Sequence, residues 1–208
     1  MATRYQHRQR MLDAVARTMI DHPFEQLSLN GIAEQSGVSL WALRYNFDNC
    51  ERLFRAVAQR LIDKVIDAAI YRAPSRSAVV DSIQDYARFV ADLVRSSDYR
   101  NLLYLVIRNA RHHEWLREAY EERVVGGICG TLEAVIRRSG EGHGMNVLLR
   151  ENAARRFHRR IETELALSTL VLAPVDREPV DVDKFLREVA RETFEATYVF
   201  EWGSASAA

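Results

Sequence analysis

The segment Leu29 to Phe47, LNGIAEQSGVSLWALRYNF, carries the side chains with the most legible chemistry. An arginine can grip O6 and N7 of guanine with two parallel hydrogen bonds, an asparagine can grip adenine in the same way, and apolar groups meet thymine methyls. Arg44 and Asn46 supply the first two types, and Leu40 or Trp41 the third. Each bidentate contact is worth about 1–3 kcal/mol of discrimination between bases. Such contacts need a helix held in a groove, and the spacing of three other residues predicts one. Ala33 is small enough for a second helix to cross the first closely. Gly37 supplies the positive φ that other residues resist at a tight bend. Leu43, six positions on, plugs the second helix into the first. This spacing predicts a helix-turn-helix, with Ser39 to Phe47 shaped for a DNA major groove.

No other stretch points as clearly to one chemistry. Cys50 and Cys129 are the two cysteines, without metal-type spacing, and read as reduced thiols. His158 and Glu162 are one turn apart and His112-His113-Glu114 cluster, but neither makes a three- or four-ligand set. No Glu-x-x-His pair exists, which argues against a di-iron bundle. No serine, cysteine or carboxylate arrangement suggests catalysis, so neither an enzyme nor a cofactor is expected. The basic run Arg150, Arg155, Arg156, His158, Arg159 and Arg160 reads as a solvated helix face paired with Glu151, Glu162 and Glu164. An acidic ligand or partner is the sharper alternative. Gly126, Gly127 and Gly130 interrupt a helical run, implying close packing, a kink or room for a ligand. Their spacing fits neither dinucleotide nor P-loop motifs.

Composition sets the class. The 208 residues are 48% hydrophobic and 28% charged, with a formal net charge of zero, which excludes a general polyanion binder. Residues 1–72 hold 10 Lys and Arg against 8 Asp and Glu, a tilt of the right sign for a nucleic-acid contact. There is no charged-then-apolar leader and no apolar run approaching the length of a membrane span, so a cytoplasmic protein with no membrane partner is expected.

The elements read at helical period almost throughout. Met11, Leu12, Val15, Met19 and Ile20 form one stripe of a helix from Tyr5 to Asp21, which His22-Pro23 ends. Ser28 caps a short second helix through Gln35, and Ser39 caps the third. A fourth runs from about Asn49 to Tyr71, with Leu53, Phe54, Val57, Leu61, Val65 and Ile66 inward. Ala73-Pro74-Ser75 breaks the chain, and helices are expected at 76–95, 98–110, 113–139, 146–173 and 182–201. The separators include the glycine-rich 139–144 and the loop from Ala173-Pro174 to Pro179. No segment alternates strictly. The fold class is therefore all-α: about nine helices, with a three-helix head joined by the long fourth helix to a C-terminal bundle.

Residues 8–66 resemble the DNA-binding domain of the TetR family of transcriptional regulators. The likeness lies in the first amphipathic helix, Leu27-Ser28-Leu29-Asn30-Gly31-Ile32-Ala33, Gly37-Val38-Ser39, the short helix ending in aromatics and Phe47, and the polar stretch before Leu53. Beyond residue 75 it covers architecture only. The resemblance implies that Ile32, Ala33, Val38, Leu43 and Phe47 are core. Ser28 and Asn30 would hold phosphate at a helix start. Arg4, His7, Arg8 and Arg10 would reach the sugar-phosphate backbone, and Ser39, Leu40, Trp41, Arg44, Tyr45 and Asn46 would face the groove. The chain departs from the family at Arg44, where tyrosine is common, at Trp41, where a small residue is common, and at Cys50, where lysine is common; Asp48 adds negative charge. Arg44 and Arg52 would restore the lost positive charge, or else Trp41 packs onto the neighbouring helix and the head binds DNA weakly.

For the rest, the resemblance implies domains at 1–72 (DNA binding) and 75–208 (ligand binding and dimerisation). A double-stranded, palindromic operator, a second copy of the chain and a small-molecule effector are the partners. Polar and aromatic residues within apolar helices are pocket candidates: Tyr86, Phe89, Tyr104, Ile107, His112, Trp115 and Cys129. Leu167, Leu170, Val171, Phe194 and Thr197 are candidates for a four-helix dimer interface, or for intrachain core. A repressor released from its operator by ligand is the expected function; a helical interaction module with a weakened head is the alternative.

Overall fold

The computed structural model describes residues 2–72, 83–139, 146–167 and 181–205; at 2–4, 71, 72, 84, 138, 139, 167 and 194–205 it describes the backbone alone. Every regular element among these residues is helical, and the fold is all-α. The chain packs as two units interleaved in sequence: Met1–Ile66 with Ser97–Tyr120, and Asp67–Ser96 with Glu121–Ala208. The expected break at 73–75 lies outside the described residues.

In the first unit, α1 (Ala2–Asp21) buries Met11, Leu12, Val15 and Met19, a single stripe at helical spacing. Pro23 ends it and opens a 3₁₀ turn, Phe24–Gln26. Then come α2 (Leu29–Ser36), α3 (Leu40–Asn46) and α4 (Cys50–Arg72), which turns Leu53, Phe54, Val57, Leu61 and Val65 inward. The helices α6 (Ser97–Asn109) and α7 (Glu114–Ala119) complete this unit, α6 lying against α1. Asn109 locks that contact. Its buried amide donates to Leu105 O at 2.9 Å while its Oδ1 accepts from Phe24 N at 3.0 Å, leaving neither end unsatisfied. Arg108 donates to Ile20 O at 2.7 Å beside it. Asp13 of α1 accepts both prongs of Arg60 of α4, at 3.1 and 3.2 Å, and Lys64 at 2.9 Å. Burial alone would raise this carboxyl's pKa. The hydrogen bonds from Arg60 and Lys64 outweigh burial and hold it below the ordinary range.

The second unit contains α5 (Ile83–Val94), α8 (Gly126–Ser139), α9 (Val147–Glu162) and α10 (Val182–Ala205). Helix α9 packs against α5, α8 and α10. Its buried Ala153, Ala154, Phe157 and Ile161 meet a core that includes Val90, Leu93, Leu132, Val135, Leu186 and Val189. Asn146 caps α9 by accepting from Leu149 N at 2.9 Å.

Four expectations change here. The run 113–139 is not uniformly α: a π-helical segment, Tyr120–Val125, joins α7 to α8. Of the three glycines only Gly126 is sterically tight, because a Cβ there would meet Glu121 O at 3.3 Å; Gly127 and Gly130 face open space. The cluster therefore marks the π-to-α junction, not a cavity. The helix expected at 146–173 leaves α geometry at Thr163–Leu167, a second π segment, and its remainder lies outside the described residues. His158, grouped with the solvated arginines, is 2% exposed; burial depresses its pKa. Arg155 keeps the surface role, pairing with Glu151 at 3.5 Å, whereas Arg150 is largely covered, its Nε buried 3.9 Å from Glu133.

Candidate nucleic-acid interface

The head is built on three local devices. Ser28 sits in extended conformation before α2, and its Oγ accepts from Gly31 N at 3.1 Å, satisfying an amide that the helix leaves without a partner. Gly37 closes α2 at φ +69°, the left-handed conformation that side-chain-bearing residues resist. Ser39 then starts α3 through its backbone, Leu43 N donating to Ser39 O at 3.0 Å. Its hydroxyl makes no capping bond. Ile32, Leu43 and Phe47 are buried behind the turn, while Ala33 and Val38 are half-buried. Two polar residues outside the expected set brace the motif. Ser36 donates to Ile32 O at 2.6 Å and accepts from Val38 N at 3.3 Å, and Asn49 caps α4 by accepting from Arg52 N at 2.9 Å. Both signals were present in the sequence, a serine before glycine and an asparagine three residues before the amide it caps.

The outward side of α3 differs from its expected pattern. Trp41 and Tyr45 are 72% and 62% exposed, with ring centroids 5.2 Å apart and planes 14° from parallel. Trp41 therefore does not pack onto the neighbouring helix. Arg44 is exposed and donates to Asn30 Oδ1 at 3.4 Å, a long bond linking α3 to the start of α2. Asn46 is half-buried and its amide donates to Ala42 O at 2.8 Å, so the donor a bidentate adenine contact requires is engaged by its own helix. Leu40 is half-buried. Arg52 pairs with Asp48 on the surface, so its charge is matched before any phosphate approaches. On α1, His7 and Arg10 are exposed and the Arg8 guanidinium lies over the Phe47 ring at 5.1 Å. The side chain of Arg4 lies outside the described residues.

Behind this surface an aromatic cluster fixes the start of α4. Glu51 accepts from Arg55 Nε at 2.9 Å, and its other oxygen lies 3.6 Å from His113 Nδ1. Arg55 covers the Trp115 ring at 4.4 Å. His113, 9% exposed, meets Phe24 edge-on at 4.6 Å and lies against Phe54 at 5.0 Å.

The expected pocket residues divide between the two units. Tyr104, Ile107, His112 and Trp115 belong to the first; Ile107 and His112 are exposed and Trp115 is the floor beneath Arg55. Tyr86, Phe89 and Cys129 belong to the second. There the Tyr86 and Phe89 rings are 5.7 Å apart, and Tyr86 Oη donates to Ile128 O at 2.5 Å. Burial raises the phenol's pKa well above the usual range, and burial pushes the Cys129 thiol up to about 11. The expected interface residues Leu167, Leu170, Val171, Phe194 and Thr197 have side chains outside the described residues. Among the described residues no group of three or more His, Cys, Asp and Glu is arranged to hold a metal ion, and no helix is long and apolar enough to cross a membrane.

No protein-family model matches the chain, and no curated protein matches it. A solved structure does share its fold. A crystal structure from Mesorhizobium loti, described provisionally as a TetR-family transcriptional regulator, matches with a TM-score of 0.62. It is 17% identical, with 94% of this chain and 96% of that chain covered. At that identity the likeness is one of architecture, and it extends over nearly the whole of both chains.

Proposed function

We propose that the chain is a TetR-type transcriptional regulator, a homodimer that binds a two-half-site DNA operator and is released by a small-molecule effector. One observation carries the DNA-binding part. Ser28, Gly37 and the buried Ile32, Leu43 and Phe47 hold α2 and α3 as a helix-turn-helix whose outer side presents Trp41, Arg44 and Tyr45 to solvent. A core that rigid beneath side chains that exposed is what groove recognition needs. The shared architecture with the Mesorhizobium loti structure supports the same reading. Residues 1–72 act as the DNA-binding part and 75–208 as the ligand-binding and dimerisation part. Arg44 contacts a base edge, while Ser28, Asn30 and the basic residues of α1 contact phosphates. Of the expected pocket residues, Tyr86, Phe89 and Cys129 share one unit, which favours an effector site among α5 and α8.

The proposed mechanism couples the effector site to the head. Effector binding among the C-terminal helices tilts α4 and changes the separation of the two α3 helices. Both half-sites then cannot dock together, and affinity falls. Selection of bound fragments from sheared genomic DNA tests this reading. Enrichment of a palindromic site, weakened by Arg44→Ala, supports it; no enrichment at moderate salt, or a monomer at micromolar concentration, overturns it. The Asp48–Arg52 pair and the engaged amide of Asn46 favour a second reading, an interaction module with a weakened head. Absence of enrichment would select that reading.

A further inference from the structure

We propose that Trp41 and Tyr45 form a preassembled aromatic ledge that reads the C5 methyl of thymine in the major groove. This rests on the DNA-binding reading above and specifies which feature of the base edge that surface selects. The two rings sit one helical turn apart on α3 and stack in an offset arrangement, 5.2 Å between centroids. Both remain largely exposed, so neither serves the core of the head. The polar groups beside them are less available: Asn46 is tied to Ala42 O, Arg44 reaches toward Asn30, and Arg52 is matched by Asp48. The most forward chemistry on this helix is therefore apolar.

The major groove offers little that such a surface can match. Base edges there display donors, acceptors and one apolar group, the C5 methyl of thymine. A stacked pair already has its rotamers restricted, so it loses less conformational freedom on contact than two independent side chains would. The pair is uncharged, so its contribution persists at salt concentrations that screen phosphate contacts.

The test uses the full-length protein and a fragment it selects from sheared genomic DNA, resynthesised with deoxyuridine at each thymine in turn. Uracil keeps every hydrogen-bonding atom and lacks only the methyl. At one or two positions per half-site the substitution should weaken binding about fourfold, the value of one buried methyl-sized group. Trp41→Ala and Tyr45→Ala should bind the thymine and uracil forms alike, with the cooperative unfolding transition retained because both side chains are largely exposed. Tyr45→Phe should retain the methyl dependence, since the ring and not the hydroxyl makes the contact. Equal affinity of the wild type for all uracil forms overturns the proposal while leaving the regulator reading intact. So does loss of binding in Tyr45→Phe as large as in Tyr45→Ala, which would assign the hydroxyl to a phosphate. A lower oligomer mass in Trp41→Ala with DNA binding unchanged would make the ledge a contact between copies, and also overturns it. Failure to select any fragment overturns both readings.

Discussion

Replacing Asp48 with Asn isolates the electrostatics of the head. Asp48 lies two residues beyond the end of α3 and pairs with Arg52 in the first turn of α4, both side chains 68% exposed. An exposed pair of this kind contributes about 0.2–1 kcal/mol to stability, so thermal unfolding should move by no more than a few degrees. The effect on DNA should be far larger. The substitution removes one negative charge just beyond α3, the helix proposed to enter the groove, and frees one guanidinium for a phosphate. One additional phosphate contact per head steepens the slope of log affinity against log salt by about 0.9, or about 1.8 for a dimer on two half-sites. With the counterion contribution vanishing near 1 M salt, that slope corresponds to about 60-fold tighter binding at 0.1 M. Fluorescence anisotropy of a labelled selected fragment, titrated between 50 and 300 mM KCl, measures the slope directly. An unchanged slope with a folded, dimeric protein would refute the reasoning, because it would place Asp48 and Arg52 away from the phosphate path.

Further perturbations test the scaffold and the interior. Gly37→Ala keeps the space, since nothing lies within 4 Å of the added Cβ, but forces a side chain to φ +69°; urea denaturation should show a loss of about 1–2 kcal/mol. The pKa of Asp13 is depressed in the fold, so its contribution is present above the unfolded value near 3.8 and is lost as pH falls through the folded value. Asp13→Asn should therefore lower stability at neutral pH and flatten the acid limb of the stability curve, as read by unfolding midpoints between pH 2 and 6. Cys129, with its thiol pushed up to about 11 and nearly all its surface covered, should resist a disulfide reagent at pH 8 until the protein unfolds. Half-buried Cys50 should react first.

How far the fold can be read in the sequence depends on how local its causes are. Ser28, Gly37 and Pro23 act within a few residues: a side-chain cap, a positive φ and a missing N–H each leave a signature in the chain that the structure repeats. The stripes of α1 and α4 are legible for the same reason, since burial on one side of a helix imposes a period. The π segments are not, because no period announces one inserted residue. Gly126 hinted at the first of them, but the hint was shared with Gly127 and Gly130, which have open space around them. His158 also misled, because a histidine between arginines reads as surface, whereas its angular position on α9 places it with Phe157 and Ile161 in the interior.

The outer side of the head was legible in residue types and illegible in their engagements. Arg44, Asn46 and Arg52 are the right types to bind DNA, yet a sequence does not show that Asn46 turns back to Ala42 or that Arg52 meets Asp48 four residues earlier. Those engagements follow from rotamer and helix position, and they decide which groups remain for a partner. Trp115 shows the same limit over a longer range. As a tryptophan among apolar residues it suited a pocket wall, but Arg55 and Phe54, some sixty positions earlier, cover it and make it part of the base on which α4 starts. His113 beside it joins the same base through Phe24, Phe54 and Glu51. The direction in which α4 leaves the helix-turn-helix is thus set by His113, in the turn between α6 and α7, and by Trp115 in the first turn of α7. A substitution such as Trp115→Ala, which would leave Arg55 and Phe54 without their packing partner, acts on the head without touching any residue of residues 28–47.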